Sequence, residues 1–240
     1  GLRPLPEDLP TVDASPVRCF DPTAEAEMIA EIRSAAKEGD SLGGTVEVAA
    51  YGVPVGLGSH VHWDRKLDGL IAHGLMSIQA VKAVWVGEGF EVARRRGSSG
   101  HDSIFFDSGS GEYRRETSLA GGIEGGISTG GLLIAGAAMK PLATLNRPVL
   151  RTVDVVTKQE TVSFKERTDV TSVPAMGVVA ETMLALVLAS EALRKFGGDS
   201  LAEMTRNHAS YLEAVREEKW PSSAGSSGDD PSVDDGPAGP

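Results

Sequence analysis

The chain contains 240 residues, of which 40% are hydrophobic and 24% are charged, so it can bury one sizeable core in one domain or two. Its net charge of −11 argues against a nucleic-acid-binding protein, which normally presents a basic face, and no charge-free apolar run of 18 residues predicts a membrane-spanning helix. The single cysteine, Cys19, cannot form an internal disulfide and indicates a reducing cytoplasm.

The first twenty residues do not resemble a secretory signal, because no apolar core follows a basic start. The chain begins with Gly1 rather than methionine, and we expect it to be part of a longer protein. Residues 1–20 also contain four prolines, which is typical of an irregular connector.

The first predicted helix begins at Asp21, as N-cap, and Pro22, at the first helical position. It ends at Gly39, which suits a left-handed C-cap. Residues 45–51 alternate in polarity and predict a strand, and residues 52–59 form a glycine-rich loop.

A second helix is predicted to start at Asp64, again as N-cap. Its apolar face contains Leu67, Leu70, Ile71, Leu75 and Ile78. No glycine stops this helix, so it passes almost directly into a β-rich run at 81–86, with the junction at Gln79 and Ala80.

The middle of the chain, residues 97–130, is mostly glycine, serine and charged residues. A strand is predicted over 132–138, and further strands over 150–156 and 161–166.

Two helices are predicted near the end of the chain. Pro174 opens a long, nearly all-apolar helix that ends at the glycine pair 197–198, and we expect it to be buried on most sides. Ser200 and Glu203 form a capping box for the last helix, which runs to about Glu218.

The order of strands and helices predicts an α+β fold in residues 1–218. Residues 219–240 are rich in Ser, Gly, Asp and Pro, and they predict a disordered acidic tail.

Two motifs suggest ligand chemistry, each with a plainer alternative. His60 and His62 would share one face of a strand, as a metal site could use, but nothing nearby supplies the remaining ligands and we predict no metal. The glycines of 121–131 would let backbone N–H groups approach a phosphate or a flat ring, or they form a flexible hairpin loop.

Charged residues at two segment ends are also candidates. Lys140, with the hydroxyl of Thr144 four residues on, can hold a phosphate, although most lysines are simply solvated. Arg167 and Asp169 form an ion pair at the entrance of the apolar helix, or a partly buried Asp169 handles a proton there. Cys19 is interpreted as a small packed side chain rather than a nucleophile.

Taken together, these segments resemble one family. The motifs are YGVPVGLGSHVHWDRKLD (51–68), LMSIQAVK (75–82), VGEGF (86–90), AGGIEGG (120–126), MKP (139–141) and ERTDV (166–170). In this order, over about residues 1–200, they resemble chorismate synthase.

The resemblance implies a β-α-β sandwich fold, present here in part, and a cytoplasmic homotetramer. It implies a lyase that converts 5-enolpyruvylshikimate 3-phosphate to chorismate and phosphate by 1,4-anti-elimination, the last common step of the shikimate pathway towards aromatic amino acids. The cofactor implied is reduced FMN, with no net redox change; whether the chain would reduce its own flavin with NADP is left open. No nucleic-acid or membrane partner is expected.

The resemblance also implies which residues contact FMN. They are Gln79, Ala80, Gly125, Lys140, Pro141, Leu142, Ala143, Thr144 and Arg167. Asp169 matches the family aspartate near flavin N5.

The chain departs from the family pattern at Ser118 and Leu119, which replace an asparagine and a basic residue, at Thr171 and Ser172, and at Ser128 with Thr129. The family's two functional histidines, several substrate-binding arginines and an Arg-Ser-Ser flavin motif belong to an N-terminal part that this chain lacks, so we expect it to be inactive alone. The alternative is a non-catalytic flavin-binding or oligomerisation module derived from this family.

Overall fold

The structure is a computed structural model that describes residues 3–109 and 111–217. The chain divides into two compact units, Gly1–Lys195 and Phe196–Pro240. The α-helices are α1 (Leu9–Ala14), α2 (Pro22–Glu38), α3 (Leu67–Met76), α4 (Phe90–Ala93), α5 (Val173–Phe196) and α6 (Leu201–Glu217). The strands are β1 (Gly44–Ala50), β2 (Val81–Val86), β3 (Ile104–Asp107), β4 (Glu112–Arg115), β5 (Ile123–Glu124), β6 (Ile127–Ser128), β7 (Leu133–Met139), β8 (Arg151–Val153) and β9 (Glu160–Val162). This mixture of helix and antiparallel sheet confirms the predicted class.

The main sheet has three antiparallel strands in the order β1-β7-β2. β7 is central and its first five residues are buried, which explains why it is almost purely apolar. The register pairs Met139 with both Gly44 and Val81, so the end of β7 meets the starts of its two neighbours. Beneath this corner, Val81, Ala137 and Met176 form a buried apolar cluster.

Helix α2 forms as its end residues predict. The Asp21 carboxylate accepts hydrogen bonds from the backbone N–H groups of Thr23 (2.8 Å) and Ala24 (3.2 Å). Gly39 adopts φ 70° and closes the helix. Both predicted ends are confirmed.

The N-cap of helix α3 lies two residues later than predicted. Asp64 lies in a short 3-10 turn, Trp63–Arg65, and α3 begins at Leu67 with Lys66 as N-cap, so the prediction of Asp64 as cap was wrong. The buried residues Leu67, Ile71 and Leu75 face the core as predicted. Gly74 allows the close approach of α5, because a Cβ there would lie 3.1 Å from Val187.

Helix α5 has the predicted ends but not the predicted burial. Leu184 and Ala180 are buried, whereas Leu186 and Leu193 are 57% and 58% exposed. One face of α5 therefore packs on the unit and the other is uncovered, which periodicity could not reveal because both faces are apolar.

Among the described helices, α5 alone has the length and mean hydropathy (1.8) to cross a membrane, and 17% of that apolar window is buried. Length and composition do not separate such a span from a core helix. Glu181, within α5, pairs with Arg18 (3.3 Å). That no helix spans a membrane stays a prediction.

The remaining hairpins differ from the predictions in extent. β8 and β9 are shorter than the predicted 150–156 and 161–166, because Asp154 accepts hydrogen bonds from the N–H groups of Val156 and Thr157 and turns the chain there. The hairpin of β3 and β4 was not predicted within the polar 97–130 stretch.

Ser200 caps α6 through the N–H of Glu203 (3.3 Å), as predicted. The predicted end of α6 at Glu218 and the tail 219–240 lie outside the described residues.

Candidate functional site

The junction between α3 and β2 brings two predicted site residues together. Ala80 adopts a left-handed conformation, φ 64°, which is uncommon for a residue with a Cβ. Its carbonyl accepts a hydrogen bond from the backbone N–H of Lys140 (2.9 Å). Gln79, the residue before, is exposed. The predicted helix-to-strand junction at Gln79 and Ala80 is therefore present, and it lies directly beside the end of β7.

The segments that follow Lys140 and Arg167 also lie together. The Thr144 and Thr168 hydroxyls are hydrogen-bonded at 2.9 Å, and Thr168 Oγ1 donates to the Asp169 carbonyl at 3.2 Å. Next to this pair, the N–H of Glu166, two residues before Thr168, donates to the carbonyl of Leu145, one residue after Thr144. Residues 140–144 and 166–169 therefore form one surface.

A short connector between α2 and β1 holds this surface in place. The buried Ser41 hydroxyl donates to the Leu142 carbonyl (2.7 Å), and the Leu42 N–H donates to the Val170 carbonyl (2.7 Å). Gly43 lies so close that a Cβ would be 2.4 Å from the Met139 carbonyl oxygen. These three residues were not predicted from the sequence, where their only local signal is that they closely follow the Gly39 cap.

The charged side chains of this surface are exposed. Asp169 was predicted to be partly buried, but it is exposed, because it lies in a surface segment just before α5. Within the described chain, Lys140, Arg167 and Asp169 form no ion pair, so the alternative of an Arg167–Asp169 pair is not observed. Two cations free of acidic partners suit an anionic ligand.

The glycine-rich segment is a tightly packed series of turns rather than a flexible loop. Gly121 and Gly122 are buried with positive φ, and a Cβ at either would lie 2.3–2.5 Å from backbone atoms of Gly87 or Leu132. Gly125 differs: it is exposed, its φ is 61°, and a Cβ would meet no atom within 4 Å. Most of these glycines serve internal packing, and Gly125 alone among the three is open to a ligand.

Gly125 does not lie beside Lys140. The neighbouring Gly126 carbonyl accepts from the N–H of Leu67, at the start of α3, whereas Ala80 follows the end of that helix. The ten residues of α3 span about 15 Å. The predicted flavin contacts therefore form two groups at opposite ends of α3.

The positions that depart from the family pattern are accommodated locally. The buried Ser128 hydroxyl donates to the Pro54 carbonyl (2.5 Å) and accepts from the Leu57 N–H (2.8 Å). Leu119 is buried, and its N–H donates to the carboxylate of Asp102 (2.7 Å). The Thr171 hydroxyl accepts from the N–H of Val173, the first residue of α5.

The metal alternative gains no support from the described residues, which contain no group of three or more His, Cys, Asp or Glu side chains able to hold an ion. His60 and His62 are both exposed. Cys19 is half-buried and donates through Sγ to the Asp21 carbonyl (3.4 Å), which agrees with a packed side chain.

The chain was compared with known proteins. The family model described as chorismate synthase matches residues 6–193. The chorismate synthase of Thermobifida fusca is 58% identical over 212 residues, 88% of this chain and 53% of that protein. That of Salinispora tropica is 55% identical over 215 residues, 90% of this chain and 54% of that protein.

A crystal structure of chorismate synthase superposes with a TM-score of 0.72 at 40% identity, over 88% of this chain and 56% of that one. The chain spans about half the length of the curated relatives it matches. A family model that covers most of the chain, together with relatives above 50% identity, settles the assignment: the chain belongs to the chorismate synthase family.

Proposed function

We propose that this chain forms flavin-contacting surfaces of a chorismate synthase, a lyase that converts 5-enolpyruvylshikimate 3-phosphate to chorismate and phosphate by 1,4-anti-elimination with reduced FMN. The observation that carries the proposal is the surface on which Ala80 is held beside Lys140 and Thr144 beside Thr168. Three segments that each match a family motif meet there, since Ala80 lies 60 residues before Lys140 and Thr144 lies 24 residues before Thr168.

The chemistry of this surface fits a reduced flavin mononucleotide. Lys140 and Arg167 are exposed cations without acidic partners in the described chain, and the Thr144 hydroxyl lies between their segments. Such donors neutralise a phosphate or an electron-rich ring. Pro141, Leu142 and Ala143 connect Lys140 to Thr144 and would line the same contact.

Reduced FMN, when bound, supplies electron density to the substrate as the 3-phosphate leaves. Lys140 and Arg167 would hold negative charge in place during this step. Asp169 would govern the proton at flavin N5 while substrate C6 loses its proton. Gln79 and Gly125 would complete the flavin contact through backbone and side-chain polar groups.

The substrate carries a phosphate and carboxylates, which suits a cationic surface on an otherwise acidic protein. We also propose a homotetramer in the cytoplasm. The exposed Val155 and Val156 of the β8–β9 turn offer apolar surface for this self-association.

The proposal is tested by anaerobic assay of chorismate formation with reduced FMN, using the chain joined to the half of the Thermobifida fusca enzyme that it does not match. Activity would support the proposal. In that protein, Asp169→Asn should lower turnover far more than FMN affinity, whereas equal losses in both would overturn the role of Asp169.

The alternative is a non-catalytic flavin-binding or oligomerisation module, favoured by the departures at Ser118, Leu119, Thr171 and Ser172. The same assay separates the two: FMN binding without chorismate formation would favour the module.

A further inference from the structure

Asp102 is a buried carboxylate that the family motifs do not include. It is 7% exposed and lies just before β3, at the base of the β3–β4 hairpin. One carboxylate oxygen accepts from the Thr117 hydroxyl and from the Leu119 N–H (2.7 Å), and the other accepts from the Ala120 N–H (3.0 Å). Both oxygens therefore bind one short segment that enters the glycine turns.

The segment held by Asp102 is continuous with the packed glycines. The Leu119 carbonyl accepts from the Glu88 N–H (3.0 Å), and the Gly121 carbonyl accepts from the Ile134 N–H of β7 (3.1 Å). Strand β5 follows directly and ends at Glu124, which precedes the exposed Gly125. The position of Gly125 thus depends on how the chain enters β5.

The charge of Arg115, which pairs with Glu124 of this turn (2.5 Å), also acts electrostatically on Asp102. Burial by itself would raise the pKa of Asp102, but hydrogen bonds from Thr117, Ala120 and Leu119 and the charge of Arg115 bring the pKa below its usual range. The carboxylate is therefore kept ionised although it is buried.

Burying an ionised carboxylate costs free energy unless both of its oxygens accept hydrogen bonds. Here the Asp102 carboxylate binds two successive backbone N–H groups and one hydroxyl. At the end of β6, the Ser128 hydroxyl bonds to the Pro54 carbonyl and the Leu57 N–H. The turn between β5 and β6 is thus held at both ends, and its tip at Gly125 is open.

We propose that Asp102 is a positioning residue, which acts through its hydrogen bonds to Leu119 and Ala120 to fix Gly125 for contact with the flavin. This inference rests on the proposed function for its ligand. Whether Asp102 immobilises the turn does not depend on any ligand, and it is measured separately, by hydrogen exchange.

The test compares Asp102→Asn with Asp154→Asn. Asp154 also accepts from two backbone N–H groups and a threonine, but it is exposed and belongs to the β8–β9 turn. At a temperature where all variants are folded, hydrogen exchange at residues 119–126 should accelerate about tenfold in Asp102→Asn and remain unchanged in Asp154→Asn. Should Asp102→Asn not fold, Thr117→Val, which removes one donor, should give a smaller change at the same residues. Unchanged exchange there would overturn the proposal.

A double-mutant cycle with Gly125→Ala tests the link to the flavin. A Cβ at Gly125 would meet no protein atom within 4 Å, so the variant obstructs a ligand in addition to straining the backbone at its positive φ. We expect Asp102→Asn to raise the Kd for FMN about tenfold in the wild-type background and much less in Gly125→Ala. Equal effects in both backgrounds would contradict an action through Gly125. If the chain joined to the unmatched half of the Thermobifida fusca enzyme binds no FMN, the proposed flavin site is wrong, and the exchange data still decide whether Asp102 fixes the turn.

Discussion

The backbone N–H of Lys140 donates to the Ala80 carbonyl, and this bond fixes the position of the residue. Its side chain is exposed and can bind a ligand. We predict that Lys140→Ala weakens FMN binding about 10- to 100-fold, the effect of losing one charged hydrogen bond. The free energy of unfolding should change by less than about 0.5 kcal/mol because the side chain is exposed. Fluorescence titration with FMN measures the affinity, and Lys37→Ala, at the exposed end of α2, is the control. Equal FMN affinities of the Lys140 and Lys37 variants would count against this site.

Asp102 makes the stability of the chain depend on pH in a defined direction. Its pKa is lower in the folded chain than the usual 3.8, so its stabilising contribution is present above 3.8 and is lost as the pH falls through the folded value. Urea unfolding should therefore show a constant difference between the chain and Asp102→Asn near neutral pH, and a shrinking difference below about pH 4. A difference that grows on acidification would contradict the assignment.

Gly121 and Gly125 share a left-handed backbone but differ in their surroundings. Alanine strains the backbone at either position by about 1–2 kcal/mol. At Gly121 the added Cβ would also lie 2.3 Å from the N atom of Gly87, which costs about 1–3 kcal/mol more. Thermal or urea unfolding should find Gly121→Ala clearly the less stable variant. Equal stabilities would mean that the segment is loosely packed.

At the scale of elements, α5 shows that a hydrophobic residue in a helix is not necessarily buried. Leu184 is 2% exposed and Leu186 is mostly exposed, although they lie two residues apart on the same helix. We predict that Leu184→Ala lowers the free energy of unfolding by about 2–5 kcal/mol and Leu186→Ala by less than about 0.5 kcal/mol. Urea unfolding of the two variants measures this. Similar losses would show that the second face of α5 is covered in solution.

Elements whose ends depend on local contacts could be predicted from the sequence. The limits of α2 follow from Asp21 and Gly39, which bond to backbone groups within four residues. The start of α3 could not be predicted, because Asp64 is a good cap by type but lies in a separate 3-10 turn. The burial of α5 depends on which elements cover it, and a uniformly apolar helix carries no such information.

The candidate site also contains some residues that could be predicted from the sequence and others that could not. Lys140, Arg167 and Asp169 were predicted from charge near segment ends and from family resemblance. Ser41, Leu42 and Gly43 were missed because the two hydrogen bonds and the close approach to Met139 that they make each span about 100 residues or more. The separation of Gly125 from Lys140 depends on the length and direction of α3, which motif order alone does not reveal.

At the scale of the whole molecule, the chain leaves an apolar helix face uncovered and matches about half of its relatives' length. An exposed apolar face of this kind is stabilised when a complementary surface covers it. We therefore predict that the chain alone forms no chorismate. Activity should appear when the unmatched half of the Thermobifida fusca enzyme is added as a separate polypeptide, because that half would cover α5 and supply the remaining substrate contacts.

The variant Leu186→Asp tests the reason for this prediction. It places a charge on the exposed face of α5, where it should leave the fold of the chain intact and abolish the activity of the mixture. Circular dichroism checks the fold, and anaerobic chorismate formation reports the association. The control is Glu203→Gln, in the second compact unit, which should retain the activity of the mixture. If Leu186→Asp also retained it, the two halves would have to associate through another surface, and the open edge of β1 would be the next to alter.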